Sequence, residues 1–156
     1  MARIVKYKTR LTDNKRVVLE KEVSTNRPDL SYVIRSPQDV VDLSRGFMRI
    51  HEEPEEYMYM ICLNTKNRVI GVFEISHGTV NSSLVGPREV FQKALLANAV
   101  SVIFVHNHPS GDSTPSREDI NITSKLVEAG KLLSVEVLDH IVIGDQYTSL
   151  KEKGYV

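Results

Sequence analysis

The chain has 156 residues, enough for one domain with a substantial core. Twenty basic and twenty acidic residues cancel to a net charge of +0, which excludes a global electrostatic attraction to nucleic acid. The single cysteine, Cys62, excludes an intramolecular disulfide, and no apolar leader or membrane-length apolar run is present, so the expectation is a soluble, cytoplasmic protein without membrane contact.

In chain order, residues 2 to 24 alternate around the turn cluster Thr12-Asp13-Asn14-Lys15 and predict a hairpin from Ile4–Tyr7 to Val17–Leu19. Its basic residues Arg3, Lys6, Lys8, Arg10, Lys15 and Arg16 are the one basic concentration in the sequence, which leaves a local basic patch open beside the alternative of an ordinary solvated face. Asn26 to Asp29, with Pro28, is a linker, dividing an N-terminal extension (1–30) from the main domain (31–156). Ser36-Pro37-x-Asp39 starts a helix with Ser as N-cap and Pro at the first helical position; Val40, Val41, Leu43 and Phe47 form its apolar stripe to about Ile50. His51 is expected to be exposed. Glu56 to Asn64 is apolar on both faces and predicts a central strand, with Val69–Ile75 as its hairpin partner and a turn at His77-Gly78. A second helix opens at Gly86-Pro87-Arg88-Glu89 and runs to Asn98, and Val100–Val105 is a short buried strand. A third helix is expected from Arg117 to Ala129, stopped by Gly130 as a C′ residue. Ser134–Ile143 is a further strand, and Tyr147–Leu150 closes the chain. Alternating strands and helices of this kind predict an α/β fold, a mixed sheet flanked by helices.

The chemistry concentrates in Val105-His106-Asn107-His108-Pro109-Ser110-Gly111-Asp112-Ser113-Thr114-Pro115-Ser116-Arg117-Glu118-Asp119. At the end of an extended strand, residues i and i+2 project to the same side, so His106 and His108 can offer two imidazoles to one ion. Pro109, Gly111 and Pro115 force a turn-rich loop. Ser116-x-x-Asp119 reads as a capping box and puts Asp119 in the first turn of the third helix, within swing of an ion held by the strand end. Two neutral imidazoles and one carboxylate leave a position open on a tetrahedral Zn²⁺, the pattern of a catalytic site. His77 has no ligand spacing to this pair. Asp139-His140 reads either as a pair that orients the site or as a His–Asp contact in the core. Cys62, inside an apolar run, reads as an inert buried thiol.

The whole spacing (His-x-His, seven residues, Ser, two residues, Asp) resembles the metal-binding motif of the JAMM (MPN) metalloproteases. Pro87-Arg88-Glu89-Val90, Asn98-Ala99, His106 to Asp112, Pro115-Ser116 and Leu138-Asp139-His140-Ile141-Val142-Ile143-Gly144 together resemble the RadC family, from about Val33 to Val156. The resemblance implies a cytidine-deaminase-like JAB/MPN domain, Zn²⁺ on His106, His108 and Asp119, and a catalytic Glu on an earlier strand. Glu56, at the mouth of the central strand, lines up with the family's base without a gap and is preferred to Glu74 and Glu55; its other reading is an exposed acid in the run Glu52 to Glu56. Ser116 is implied as a donor to the oxyanion, in competition with its role as N-cap. Gly86 stands where the family often carries His, and Arg88-Glu89 reads as a helix cap. Deaminase chemistry is not supported, because there is no His-x-Glu and one cysteine cannot complete that site.

The leading expectation is therefore a zinc-dependent hydrolase, a metallopeptidase acting on peptide or isopeptide bonds of a peptide or protein substrate through metal-activated water. An association with DNA repair follows from the family resemblance. Members often carry a helix-hairpin-helix region ahead of this domain; here the residues before the central strand read as hairpin plus helix, and no DNA-binding module is expected. The alternative is a non-hydrolytic, metal-stabilised module that binds a DNA-repair or mobile-element partner, or DNA itself.

Overall fold

A computed structural model describes residues 3–26, 32–78 and 85–156. Among these residues seven strands lie in one mixed sheet: β1 (Arg3–Leu11), β2 (Val17–Asn26), β3 (Glu56–Leu63), β4 (Val69–Gly78), β5 (Ser101–Asn107), β6 (Glu136–Ile143) and β7 (Tyr147–Ser149), in the order β2-β1-β4-β3-β5-β6-β7. The β1–β4 and β5–β6 pairs are parallel and the others antiparallel. Three α-helices accompany them: α1 (Pro37–Leu43), α2 (Pro87–Leu96) and α3 (Arg117–Leu133).

Strand alternation sorts the core into two layers. Tyr59, Ile61 and Leu63 of β3, with Ile103 and Val105 of β5, face α1 through Val40, Val41 and Leu43. Met58, Met60 and Cys62 of β3, with Val102 and Phe104 of β5, face α2 and α3 through Val90, Phe91, Ala94, Ile122 and Leu126. The near-continuous apolar runs in β3 and β5 follow from this, since both faces of these strands are covered. The α/β sandwich expected from element order is the observed architecture.

Ser36 caps α1 through a full capping box with Asp39, and Pro37 occupies the first turn. The apolar stripe continues past Leu43, but as a π-helical turn over Ser44–Met48 that Arg49 ends in the left-handed region at φ 53°. The expected hairpin is formed by β1 and β2. Three of its basic residues are paired with acids of the hairpin and of β4: Lys6 meets Glu22 at 3.4 Å and Glu74 at 3.5 Å, and Lys8 and Arg10 meet Glu20 at 3.8 and 3.5 Å. The linker around Pro28, and with it the boundary at residue 30, falls outside the described residues.

Two expected boundaries at glycines move. The turn at His77-Gly78 is instead the end of β4, because Tyr57 and Glu56 pair with His77 and Gly78 and keep the strand extended. Helix α3 does not stop at Gly130; it runs to Leu133, and Ser134 is the left-handed C-cap at φ 57°. Gly130 serves packing instead. A Cβ there would lie 2.4 Å from the Val135 carbonyl oxygen and 3.3 Å from both Phe91 and Val137, so the glycine lets the end of α3 settle against the chain entering β6.

Among the described residues no helix is long and apolar enough to cross a membrane.

Candidate metal centre

The site forms where β5 ends. Strand β5 lies between β3 and β6, and alternation turns His106 to the same face as Val102 and Phe104. His108 stays tied to the sheet, its backbone N–H donating to Ile143 O at 2.8 Å, so the two imidazoles reach the same side. The loop then folds back on the β6–β7 turn: Gly111 adopts φ +87°, and its carbonyl accepts the N–H of Asp145 at 2.8 Å. The loop delivers Ser116 to the N-cap of α3. Ser116 Oγ accepts the Asp119 N–H at 3.1 Å, and Asp119 Oδ2 accepts the Ser116 N–H at 2.6 Å. This capping box holds the Asp119 carboxylate over the strand end.

The ligand atoms converge. His106 Nε2 and His108 Nε2 are 3.0 Å apart, His106 Nε2 lies 3.2 Å from Asp119 Oδ1, and His108 Nε2 lies 3.4 Å from Asp119 Oδ2. The two imidazoles meet different oxygens of the Asp119 carboxylate, and one ligand atom from each of the three residues lies within 4.8 Å of the others, close enough for the three to hold a single ion. His106 and Asp119 are buried and His108 is partly exposed, which leaves the fourth direction on the solvent side. The donor set fits a divalent cation that accepts nitrogen and oxygen ligands.

Electrostatics agree with the geometry. Burial alone would raise the Asp119 pKa, but the imidazoles of His106 and His108 beside it override that effect and hold the carboxyl well below the usual range. The Asp119 hydrogen bond raises the pKa of His108 above its ordinary value against burial, with the Asp112 carbonyl and the charge of Glu56 adding to the effect.

Each candidate ligand histidine is held from behind. His108 Nδ1 donates to the Asp112 carbonyl at 2.7 Å. His106 Nδ1 lies 2.7 Å from Nε2 of the fully buried His140. Asp139 and His140 do not form a side-chain pair, because adjacent strand residues face opposite ways. Asp139 binds the hydroxyl of Ser149 at 2.6 Å and the Lys151 N–H at 3.0 Å, while His140 turns to His106. Strand parity was the available signal: His140 falls on one face of β6 and Asp139 on the other.

Glu56 lies two residues along β3 from Met58, the residue paired with His106, and so on the same sheet face at the mouth of the site. Glu74 pairs with Tyr59, on the α1 face, and is engaged by Lys6. Glu55 meets His77, whose ring stacks on Tyr57 at 4.1 Å, and neither joins the ligand cluster. Asn107 is 2% exposed and holds the segment ahead of β3. Its Nδ2 donates to the Glu53 and Glu55 carbonyls at 3.4 and 2.8 Å, and its Oδ1 accepts the Tyr57 N–H. His51 is exposed as expected. It lines, with Glu53, Pro54, Asn107 and Asp145, a cleft of about 290 Å³ beside His108.

Sheet order, helix placement and this cluster define an α/β domain of the JAB/MPN class. Residues 34–155 match the family model of the RadC-like JAB domain, and the chain belongs to that family. It is similar to a UPF0758 protein of Bacillus licheniformis, 54% identical over 126 residues that cover 80% of this chain and 55% of the relative. A UPF0758 protein of Caldanaerobacter subterraneus is 46% identical over 156 residues, 99% of this chain and 64% of the relative. One from Methanosarcina barkeri is 52% identical over 122 residues, 78% of this chain and 52% of the relative. The chain thus spans between half and two thirds of the length of these relatives.

Proposed function

We propose that this domain is a zinc-dependent hydrolase of the JAMM type, a metallopeptidase that cleaves peptide or isopeptide bonds. The observation that carries this reading is the convergence of His106 Nε2, His108 Nε2 and the Asp119 carboxylate at 3.0, 3.2 and 3.4 Å with an open side towards solvent. Held by these three residues, Zn²⁺ would supply a Lewis acid that activates water and polarises a carbonyl. Glu56 is the general base: it takes the proton of the attacking water and returns it to the departing amine. Its position on the His106 face and its charge acting on His108 support the choice over Glu74.

Ser116 donates to the oxyanion. Capping uses only a lone pair of Oγ, which accepts the Asp119 N–H, and leaves the hydroxyl proton to donate, so its two roles are compatible. Removal of such a donor costs about 3 kcal/mol in the barrier. The paired state of Lys6, Lys8 and Arg10 supports a protein rather than DNA as the partner in any repair role.

The test is elemental analysis of purified protein beside His108→Ala, followed by cleavage assays on peptide and isopeptide substrates with Glu56→Gln as control. About one zinc per chain, lost in the His108 variant, with cleavage lost in the Glu56 variant, is the expected result. Protein that takes up no zinc on titration overturns the hydrolase. Zinc uptake without cleavage of either substrate class favours the metal-stabilised binding module.

A further inference from the structure

Behind the ligands the side chains close a circuit. His106 Nδ1 is 2.7 Å from His140 Nε2, His140 Nδ1 is 2.6 Å from Thr123 Oγ1, and the Thr123 hydroxyl donates to the Asp119 main-chain carbonyl at 2.6 Å. Asp119 returns to His106 through its side chain, with Oδ1 3.2 Å from Nε2. His106, Thr123 and His140 are each 0% exposed, so bulk water competes for none of these bonds. The circuit joins β5, β6 and α3.

Its polarity follows from what each group can donate. A backbone carbonyl only accepts, so the Thr123 proton points at Asp119 and Thr123 Oγ1 is left to accept. A neutral imidazole has one donor and one acceptor nitrogen, and the fully buried His140 is enclosed in that form, with Nδ1 against Thr123 Oγ1 and Nε2 against His106 Nδ1. His140 therefore donates from Nδ1 to Thr123 and accepts at Nε2. The group left to fill that acceptor is His106 Nδ1–H, which confines the His106 lone pair to Nε2, the nitrogen facing His108 and Asp119. The reverse polarity would put the proton on His106 Nε2, inside the ligand cluster, and would take the Thr123 proton away from the Asp119 carbonyl. His108 needs no such relay, because the Asp112 carbonyl accepts from its Nδ1 directly.

We propose that His140, anchored by Thr123, is a positioning residue that fixes His106 in the Nδ1–H tautomer and keeps its Nε2 lone pair aimed at the ligand cluster. The consequence for metal affinity rests on the reading of His106, His108 and Asp119 as ligands; the tautomer is a property of the metal-free chain. Two readouts separate the two statements: the tautomer of His106 from histidine ¹⁵N shifts in metal-free protein, and zinc affinity by competition with a chelator. The variants are His140→Leu, which removes the acceptor; His140→Gln, which can return a carbonyl oxygen near the place of Nε2; and Thr123→Val, which keeps the volume and removes the hydroxyl.

Wild type is expected to show Nδ1–H at His106. His140→Leu releases that tautomer and weakens zinc binding by about 10- to 100-fold, and His140→Gln restores most of the loss. Thr123→Val gives a smaller loss in the same direction and carries the comparison if His140→Leu fails to fold. An Nε2–H signal in wild type overturns the positioning role even if zinc binds tightly, and so does a folded His140→Leu variant with unchanged tautomer and affinity. Nδ1–H in wild type, released in the variants but with no zinc uptake, supports the positioning role and overturns the metallopeptidase reading.

Discussion

Asn107 Oδ1 accepts the backbone N–H of Tyr57 at 2.7 Å across the β3–β5 pair. The residue after one candidate ligand thereby ties down the residue after the candidate base. Asn107→Ala removes an acceptor and two donors from a buried position. It is expected to destabilise the fold by about 1–3 kcal/mol in urea unfolding, with faster hydrogen exchange at the Tyr57 amide. Unchanged exchange at Tyr57 would show that the strand mouth holds its shape without the clamp.

The two candidate bases separate cleanly because they lie on opposite faces of the sheet. Glu56→Gln is expected to keep fold and zinc while lowering the cleavage rate by about 10²- to 10⁴-fold. Glu74→Gln loses its partly exposed pairings with Lys6 and His77 and should leave the rate within a fewfold of wild type. A large loss in the Glu74 variant alone would transfer the role.

Gly130→Ala tests how tightly α3 meets the chain entering β6. In an exposed helix interior this change stabilises by about 1 kcal/mol. Here the new methyl meets the Val135 carbonyl oxygen at 2.4 Å, a backbone atom with no rotamer to escape through. A net destabilisation of about 1–3 kcal/mol in chemical denaturation is expected, and a gain in stability would refute the close approach.

Cys62 is buried, and burial pushes its thiol up to about 12. A thiol with its folded pKa raised is favoured as the neutral form, so its stabilising effect is complete below the unfolded pKa of about 8.5 and is lost as pH rises above it. The native protein is expected to leave a disulfide-exchange reagent unreacted at pH 8 and to react fully once unfolded. Rapid labelling of folded protein would mean that the β3 core opens readily.

The legible parts of the site were local. Ser-x-x-Asp spans one helical turn, and His-x-His spans one strand repeat, so capping box and paired imidazoles both followed from spacing. What escaped was set by chain segments distant in sequence. His140 reaches His106 only because β6 pairs in parallel with β5, and no local pattern states that partner. The end of α3 was misread for the same reason: Gly130 resembles a stop signal, yet its small size answers to Phe91, Val135 and Val137. The faces on which Glu56 and Glu74 fall likewise depend on register, since a one-residue shift in β3 would exchange its faces.

The family match begins at residue 34, after the hairpin, yet β1 completes the sheet beside β4. Val72 and Phe73 of β4 are fully buried, and Tyr7 of β1 stacks on Phe73 at 5.9 Å. A domain cut at the family boundary would bare an apolar strand edge with unpaired backbone groups, a template for self-association and insoluble assembly. With the hairpin in place the outermost strand is β2, which presents Glu20, Lys21 and Glu22 in succession. The first two strands thus exchange an adhesive edge for a charged one.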